Sequence, residues 1–270
     1  MDFKDKTVLI TGGCSGIGKI MARKALERGV AKLIILDIDE KGLSVLKQEF
    51  LTYKIPVIGF CTDLSSEEAV LHTVSQMSSE GLAPDILINN AGVVTGKFFH
   101  EHSHAEIERN IRVNSLAPMH LTRALLPGMM SRNRGAVCTI SSLAGLVSNP
   151  KMSVYAASKW AAFGWSDSVR LEMVRLEKDI SFTSVLPYYI STGMFSGVRS
   201  GLIPILNPEK TAEKIMRSIE KGTKIVALPL PYWFVRLAQG ILPLAVYDWT
   251  MEHILGIYHT MDNFRGREKL

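Results

Sequence analysis

The sequence predicts an α/β fold: one Rossmann-type domain with a doubly wound parallel sheet of about seven strands and helices on both faces. Short apolar runs without polar alternation recur along the chain, which is typical of parallel strands buried on both sides. Segments with helical periodicity separate these runs. Glycine-rich or polar residues follow the strands, at the carboxyl ends where such sheets bind ligands. A length of 270 residues fits one large domain.

The composition excludes several classes of protein. Hydrophobic residues make up 47% and charged residues 21% of the chain, which is typical of a globular protein. The net charge of +5 comes from scattered basic residues, and a nucleic-acid-binding protein would need a concentrated basic face. Cys14, Cys61 and Cys138 are odd in number and widely spaced, so they predict neither a disulfide framework nor a metal site. They fit a reducing compartment.

The N-terminal residues are polar and lead directly into the first strand. Residues 1–6 lack the apolar core of a signal peptide. No run of about 18 apolar residues follows, so a spanning helix is not expected. We therefore expect a cytoplasmic protein.

The first strand leads into a glycine-rich turn and a helix. Residues 7–10 form the strand, Thr11 to Gly18 the turn, and Gly29 is the expected C-cap of the helix. Glycines with this spacing allow tight turning and close approach of the backbone to a pyrophosphate, which a helix N-terminus stabilises. The arrangement predicts a dinucleotide site.

The second strand, residues 32–36, ends at Asp37. A carboxylate there can accept hydrogen bonds from both hydroxyls of an adenosine ribose and would repel a 2′-phosphate. No Arg or Lys lies inside the glycine-rich turn. These features favour NAD over NADP, although Asp37 could also be the N-cap of the helix predicted over residues 41–50.

The third strand, residues 56–61, is followed by Asp63. This carboxylate could bind the adenine amino group or form turn hydrogen bonds with Ser65 and Ser66. The fourth strand, residues 85–88, is followed by small residues that again suggest close approach of a ligand.

A long helix is predicted over residues 105–129, with Asn114 at its centre. Asparagine is a poor residue in a helix interior. A buried Asn114 would need partners, either through a kink with a bound water or through a side-chain hydrogen bond.

The fifth strand, residues 135–140, leads to Ser142, and a helix carrying Tyr155 and Lys159 follows. Residues four apart share one face of a helix. An ammonium beside a phenol lowers the pKa of the phenol, which makes it a usable general acid or base. The alternative is a chance Tyr-x-x-x-Lys pattern on an exposed helix.

The chain beyond the sixth strand, residues 180–186, is apolar. Residues 193–207 suit a cover over an apolar substrate, or packing against the core or a partner subunit. A helix over 208–221 and a seventh strand over 224–228 follow. Residues 229–249 could form a dimer contact, a pocket wall or a membrane-surface helix, with the first two favoured. The tail from Asp262 is expected to be solvated.

The chain resembles the short-chain dehydrogenase/reductase family over essentially its whole length. Ser142 precedes Tyr155 by thirteen positions, the usual gap in the family. The motifs that carry the resemblance are Thr11-Gly12-x-x-x-Gly16-x-Gly18, Asn89-Asn90-Ala91-Gly92, Asn114, Ser142 and Tyr155-x-x-x-Lys159.

The resemblance implies a role for each catalytic residue. Tyr155 would be the acid/base, and Lys159 would lower its pKa and bind the nicotinamide ribose. Ser142 would polarise the substrate carbonyl, and Asn114 would hold a water that links Lys159 to solvent. The residues implied in cofactor binding are Gly12, Ser15, Gly16, Ile17, Gly18, Asp37, Asp63, Leu64, Asn90, Ala91, Gly92, Tyr155, Lys159, Pro187, Ile190 and Thr192.

One departure from the family pattern concerns the substrate. The family usually has Pro-Gly after the sixth strand, and here Tyr188 follows Pro187. The run to Met194 and Phe195 resembles the branch of retinol dehydrogenases and lipid-droplet 17-beta-hydroxysteroid dehydrogenases. Many of those proteins have an N-terminal membrane anchor, and because we expect none here, a transfer of their membrane location is not favoured. The substrate is expected to contact Ser142, Tyr155, Tyr188, Met194 and Phe195.

These observations predict an NAD(H)-dependent oxidoreductase that interconverts a hydrophobic alcohol and its ketone or aldehyde, without a metal. A homodimer or homotetramer is expected, and peripheral membrane contact is less favoured. We expect a core over residues 1–192, a substrate lid over 193–222, and a last strand with a variable segment over 223–270. The alternatives are an NADP(H)-dependent carbonyl or 3-oxoacyl reductase and a non-catalytic cofactor sensor.

Overall fold

The computed structural model describes residues 1–229 and 232–266. Seven parallel strands form one sheet in the order β3-β2-β1-β4-β5-β6-β7. The strands are Thr7–Thr11 (β1), Lys32–Asp37 (β2), Val57–Cys61 (β3), Ile86–Asn89 (β4), Gly135–Ile140 (β5), Ile180–Pro187 (β6) and Ile225–Leu228 (β7). The strand order reverses between β1 and β4, which is the place where doubly wound sheets bind ligands.

Helices cover both faces of the sheet. They are Gly16–Glu27 (α1), Glu40–Phe50 (α2), Glu67–Ser79 (α3), His104–Ile111 (α4), Ala117–Ser131 (α5), Ser153–Arg175 (α6), Pro208–Glu220 (α7), Tyr232–Ile241 (α8) and Leu244–Trp249 (α9). One apolar core packs α1, α2 and α7 on the sheet, and a second packs α3, α5 and α6 on the other face. The predicted fold class is confirmed.

The predicted helix over residues 105–129 is divided. A π-helical turn, Arg112–Leu116, separates α4 from α5 and contains Asn114. Such turns insert an extra residue and are frequent at functional sites. Periodicity alone does not reveal the insertion, because residues on either side still follow a helical pattern.

Two segments near the C-terminus differ from expectation. Helix α7 falls within the lid expected over 193–222, but Ala212 and Ile215 are fully buried in the core beside α1. Phe264 lies in the tail expected to be solvated, and it packs on the buried Met261. The last residues of that tail, 267–270, lie outside the described part of the chain. Among residues 1–229 and 232–266, no helix is long and apolar enough to cross a bilayer.

Candidate active site

The glycine-rich turn after β1 is pressed against the segment after β4. Gly12 has a φ of +66°, and a Cβ there would lie 2.9 Å from the Cα of Ala91. A Cβ on Gly18 would lie 2.1 Å from the carbonyl oxygen of Gly12. The Asn90 side chain donates to the carbonyl oxygens of Thr11 (2.9 Å) and Gly12 (3.1 Å). The turn therefore requires glycine at both positions and forms a rigid backbone cradle.

Helix α1 begins at Gly16, directly after this turn. Its first N–H groups have no partner within the helix, and the helix dipole favours an anion there. Gly12, Ser15, Gly16, Ile17 and Gly18 all line one cavity at this point. The cradle can hold a phosphate group.

Asp37 closes the cradle at the end of β2. One carboxylate oxygen accepts a hydrogen bond from the backbone N–H of Cys14 (2.9 Å), and the other accepts from that of Asp39 (3.2 Å). The alternative that Asp37 is the N-cap of α2 is wrong, because Asp39 has that position and accepts from Gly42 N (2.9 Å). The two backbone hydrogen bonds fix the Asp37 carboxylate at the cavity edge.

Asp63 forms turn hydrogen bonds, which is one of the two roles that the sequence suggests for it. Its Oδ1 accepts from the backbone N–H (2.8 Å) and the hydroxyl (2.7 Å) of Ser65. The backbone N–H of Ser66 donates to the carbonyl oxygen of Asp63 (3.1 Å), and the Ser66 side chain caps α3. Asp63 and Leu64 line the cavity. The Oδ2 of Asp63 remains available to a donor there.

Asn114 is buried behind the cavity and is held by its side-chain amide. It accepts from Val93 N (2.8 Å) and donates to Val93 O (2.8 Å) and to the Ser158 hydroxyl (3.0 Å). Side-chain hydrogen bonding, one of the two alternatives, is therefore observed. A Cβ on Gly92 would lie 3.2 Å from Asn114 Oδ1 and 3.5 Å from Lys159 Nζ. Glycine at this position keeps the space between the amide and the ammonium open.

The three remaining catalytic candidates lie together. Ser142 follows β5, while Tyr155 and Lys159 lie on the first turns of α6 and are 4% exposed each. Lys159 Nζ donates to Ile140 O (2.9 Å) and lies 5.7 Å from the centre of the Tyr155 ring. Their burial contradicts the alternative of a chance pair on an exposed helix.

The pKa values of this pair differ from the sequence expectation. Burial raises the pKa of Tyr155 to about 12, and the adjacent Ser142 hydroxyl partly offsets this rise. Burial also lowers the pKa of Lys159 to about 8. The sequence predicts that Lys159 lowers the pKa of Tyr155, but in the protein without cofactor the effect of burial is larger. Both side chains are removed from water, and the Lys159 ammonium donates its hydrogen bond to Ile140 O.

One cavity of about 420 Å³ joins the cradle to this catalytic group. Asn114 lies outside its lining. The predicted site residues that line it are Gly12, Ser15, Gly16, Ile17, Gly18, Asp37, Asp63, Leu64, Asn90, Ala91, Gly92, Ser142, Tyr155, Lys159, Pro187, Tyr188, Ile190, Thr192, Met194 and Phe195. The cofactor and substrate candidates thus share one continuous space.

Tyr188, the departure from the family pattern, fits the local backbone. Its N–H donates to Leu228 O (2.9 Å), which continues the pairing of β6 with β7, and it is not among the residues with positive φ. The backbone at position 188 therefore accepts a residue other than glycine without strain. Its hydroxyl contacts the Ser200 hydroxyl (2.9 Å) in the lid. The ring joins the apolar cluster around Tyr155 and Phe195.

The C-terminal segment holds the lid in place. The backbone N–H of Arg199 donates to Thr260 O (3.2 Å), and that of Arg265 donates to Ser196 O (2.9 Å). The Thr260 hydroxyl contacts the Tyr189 hydroxyl (2.9 Å) and accepts from Asn149 (2.9 Å). The lid is therefore connected to the wall of the catalytic site through Thr260.

Helix α8 and the residues after it form one wall of the cavity. This confirms the pocket-wall interpretation of residues 229–249 for the described part of that range. The lining residues from this wall are Phe234, Val235, Ala238, Tyr247, Met251, Leu255 and Ile257. The outward face is apolar as well, since Trp233, Ile241 and Leu244 are exposed. Contact of that face with a partner subunit or a lipid surface remains a prediction.

Several lining residues were not anticipated from the sequence. Arg109 and Val113 line the cavity from α4 and the π-helical turn, and Asn149 and Met152 line it between β5 and α6. The only available signal for the first two was their position shortly before Asn114 on the same predicted helix.

The chain matches the sequence model of the short chain dehydrogenase family over residues 6–202. It is 36% identical over 267 residues to epidermal retinol dehydrogenase 2 of Homo sapiens, covering 97% of this chain and 86% of that protein. It is 32% identical over 237 residues to estradiol 17-beta-dehydrogenase 11 of Macaca fascicularis, covering 87% of this chain and 79% of that protein. These two relatives belong to the branch indicated by the residues after β6.

Solved structures share the fold. A short-chain dehydrogenase/reductase from Burkholderia phymatum in complex with NAD superimposes with a TM-score of 0.79 at 24% identity, covering 89% of this chain and 95% of that one. One from Sphingobium yanoikuyae in complex with NADPH gives a TM-score of 0.77 at 24% identity, covering 89% and 97%. The chain therefore belongs to the short-chain dehydrogenase/reductase family, as an oxidoreductase that acts on CH–OH donors with a nicotinamide cofactor.

Proposed function

We propose that this protein interconverts a hydrophobic alcohol and its ketone or aldehyde by hydride transfer with NAD(H), with Tyr155 as the acid/base. One observation carries the proposal: buried Tyr155, Ser142 and Lys159 lie in an apolar cavity that continues into the glycine cradle. A redox sensor without turnover would not need this buried hydroxyl and ammonium.

The cradle suits a dinucleotide, because Gly12 and Gly18 let the turn pack tightly against its own backbone and the segment after β4 while both glycines line the cavity. The N-terminus of α1 would hold the pyrophosphate and Asp37 the adenosine ribose. Pro187, Ile190 and Thr192 would contact the nicotinamide. When bound, the cofactor supplies or accepts the hydride.

Preference for NAD over NADP rests on Asp37. Its carboxylate is fixed at the cavity edge by the N–H groups of Cys14 and Asp39, so a 2′-phosphate there would meet a negative charge. No Arg or Lys in the glycine turn offsets that charge. The alternative is an NADP(H)-dependent carbonyl or 3-oxoacyl reductase.

The protein's own residues handle the proton. The Ser142 hydroxyl would donate a hydrogen bond to the substrate oxygen and orient it toward the phenol of Tyr155. In reduction the phenol would give its proton to that oxygen, and in oxidation the phenolate would remove the proton from the alcohol. The Lys159 ammonium would stabilise the phenolate, while Asn114 would hold the water that connects Lys159 to solvent.

The substrate class follows from the cavity lining. Leu143, Val147, Phe195 and Phe234 are among the apolar side chains that surround the space beyond Tyr155. A lid and a wall of this kind suit a lipid-, steroid- or retinoid-like alcohol. The names of the two relatives, a retinol dehydrogenase and an estradiol dehydrogenase, support the same class. The homodimer or homotetramer and the cytoplasmic location expected from the sequence remain predictions.

Tyr155→Phe tests the proposal. Turnover of a panel of hydrophobic alcohols and ketones should fall by more than about 100-fold, because acid–base catalysis contributes ~10²–10⁴. NADH affinity, measured by fluorescence titration, should be unchanged. Tyr53→Phe, remote from the cavity, is the matched control. Retention of more than about a hundredth of the rate would contradict the role of Tyr155.

A further inference from the structure

We propose that Arg109 binds the adenine ring of the dinucleotide and makes the site selective for adenine over other bases. The inference rests on the proposed function, because it concerns the same cofactor. Arg109 lies on α4 and lines the cavity together with Val113, Leu64 and Asp63. The buried residues that follow on the same helical run, Ala117 and Leu121, pack with Leu64 and Ala91.

This position corresponds to the adenosine end of the cavity. Leu64 follows β3, on the side of the sheet where Asp37 ends β2, whereas Ala91 follows β4, which lies next to β1 at the switch point. Tyr155 and Lys159 lie across β5 and β6, on the other side of the switch point. A dinucleotide that spans the cavity with its pyrophosphate on α1 would therefore place its adenine beside Leu64 and Arg109.

Arg109 differs from the neighbouring charged residues in having no acidic partner. Arg112 faces Glu108 at 3.9 Å, and Glu106 pairs with Lys97 at 2.6 Å. Among residues 1–229 and 232–266, no carboxylate lies within 4.0 Å of the Arg109 guanidinium and no side-chain hydrogen bond engages it. The Arg109 guanidinium on the cavity wall therefore has its N–H donors available for a ligand.

The chemistry of this end of the cavity matches adenine. Leu64 and Val113 are nearly buried and offer apolar surface to a flat ring. The free Oδ2 of Asp63 can accept from the exocyclic amino group, since Oδ1 is engaged by Ser65. The guanidinium of Arg109 can donate to the neighbouring ring nitrogen. Hypoxanthine exchanges the donor and the acceptor at this edge, because it has a carbonyl oxygen in place of the amino group and a ring N–H in place of the ring nitrogen.

The alternative for Arg109 is an ordinary solvated side chain on an exposed helix surface. That alternative predicts no effect of Arg109 on cofactor affinity. It also predicts no difference between Arg109 and Arg112, three residues along the same helical run, which does not line the cavity. Arg112 is therefore the matched control.

The experiment compares Arg109→Gln and Arg112→Gln in the full chain. Dissociation constants are measured by fluorescence titration for NADH, for reduced nicotinamide hypoxanthine dinucleotide and for reduced nicotinamide mononucleotide, which lacks adenosine. Arg109→Gln should weaken NADH binding by about 10–150-fold, the usual effect of losing a hydrogen bond to a charged group. It should reduce the preference of NADH over the hypoxanthine analogue and leave mononucleotide affinity unchanged. Arg112→Gln should behave as the unsubstituted protein, and thermal unfolding checks that both variants fold.

Two results would overturn the assignment. Arg109→Gln could bind NADH as tightly as the unsubstituted protein, or it could lose mononucleotide affinity to the same degree as NADH affinity. In either case the proposed function would stand, because the unsubstituted protein still binds NADH. If the unsubstituted protein bound neither NADH nor the mononucleotide, the proposed function would fail and this inference with it.

Discussion

The ammonium of Lys159 lies 5.7 Å from the centre of the Tyr155 ring and donates its hydrogen bond to Ile140 O, not to the phenol. Both side chains are buried. Burial raises the pKa of Tyr155 to about 12 and lowers that of Lys159 to about 8. At neutral pH the site therefore combines a neutral phenol with an ammonium, which is the state that the proposed mechanism requires for reduction.

The pH dependence of ketone reduction should follow Lys159. Reduction needs the Tyr155 phenol, present below its pKa of about 12, and the Lys159 ammonium, present below its pKa of about 8. We expect kcat/KM with NADH to be flat well below about pH 8 and then to fall about tenfold for each further pH unit, to about a hundredth by about pH 10. Initial rates across this range measure it. Because arginine stays charged, Lys159→Arg should move the fall to higher pH. A fall that remains near pH 8 in that variant would show that another group causes it.

Lys159 should also destabilise the fold at neutral pH. Its buried ammonium has a pKa lowered by loss of hydration, so between about pH 8 and the ordinary lysine value the unfolded chain binds more protons. Stability should therefore rise with pH through that interval. Lys159→Met should increase the free energy of unfolding by on the order of 1–3 kcal/mol at pH 7 and abolish this rise.

Urea unfolding at pH 7 and pH 10 measures this effect. Lys41→Met, at an exposed position of α2, is the control and should change stability by less than about 0.5 kcal/mol. A Lys159→Met protein less stable than the unsubstituted one at pH 7 would mean that the hydrogen bond to Ile140 contributes more than the loss of hydration costs.

Asp37 should determine the cofactor preference. Asp37→Ser removes the charge that would repel a 2′-phosphate, so the ratio of kcat/KM with NADP to that with NAD should rise by about 100-fold or more. Absolute rates should fall, because the N–H of Cys14 loses its charged partner.

Asp39→Ser is the control for this prediction. It removes a charge two residues away but retains a good N-cap for α2. The preference should be unchanged in this variant, and steady-state kinetics with both cofactors provides the measurement. An unchanged preference in Asp37→Ser would show that the carboxylate does not select the cofactor.

The sequence predicts some features of this site far better than others. The strand-end positions of Gly12, Asp37 and Ser142 follow from local patterns, since a parallel sheet brings all its carboxyl ends to one edge. The pKa values of Tyr155 and Lys159 could not be predicted, because burial by distant residues sets them.

Contacts between segments far apart in the chain could not be predicted from the sequence either. The π-helical turn around Asn114 keeps the helical pattern of apolar residues, so periodicity does not show it. The hydrogen bond from Asn149 to Thr260 joins residues 111 positions apart. No local pattern signals such a pairing, and none signals that Phe264, in the tail expected to be solvated from Asp262, packs on Met261.

The junction between the lid and the tail should depend on Gly197. This glycine has a φ of +86°, and a Cβ there would lie 2.0 Å from Asn263 O, a backbone atom of the tail. Gly197→Ala must therefore either shift the tail or strain the lid. We expect it to lower the free energy of unfolding by about 1–3 kcal/mol. Because Met194 and Phe195 of the lid segment line the cavity, KM for a hydrophobic substrate should rise while NADH affinity stays the same.

Gly201→Ala in the same lid is the matched control. Its φ lies outside the left-handed region, and the nearest atom to an added Cβ is Leu255 O at 4.0 Å. This variant should differ from the unsubstituted protein by less than about 0.5 kcal/mol. Thermal unfolding and steady-state kinetics compare the two. If both variants behaved alike, the tail would move freely and the hydrogen bonds from Arg199 to Thr260 and from Arg265 to Ser196 would not hold the lid. A selective effect of Gly197→Ala on KM would show that the tail keeps the lid closed over the substrate.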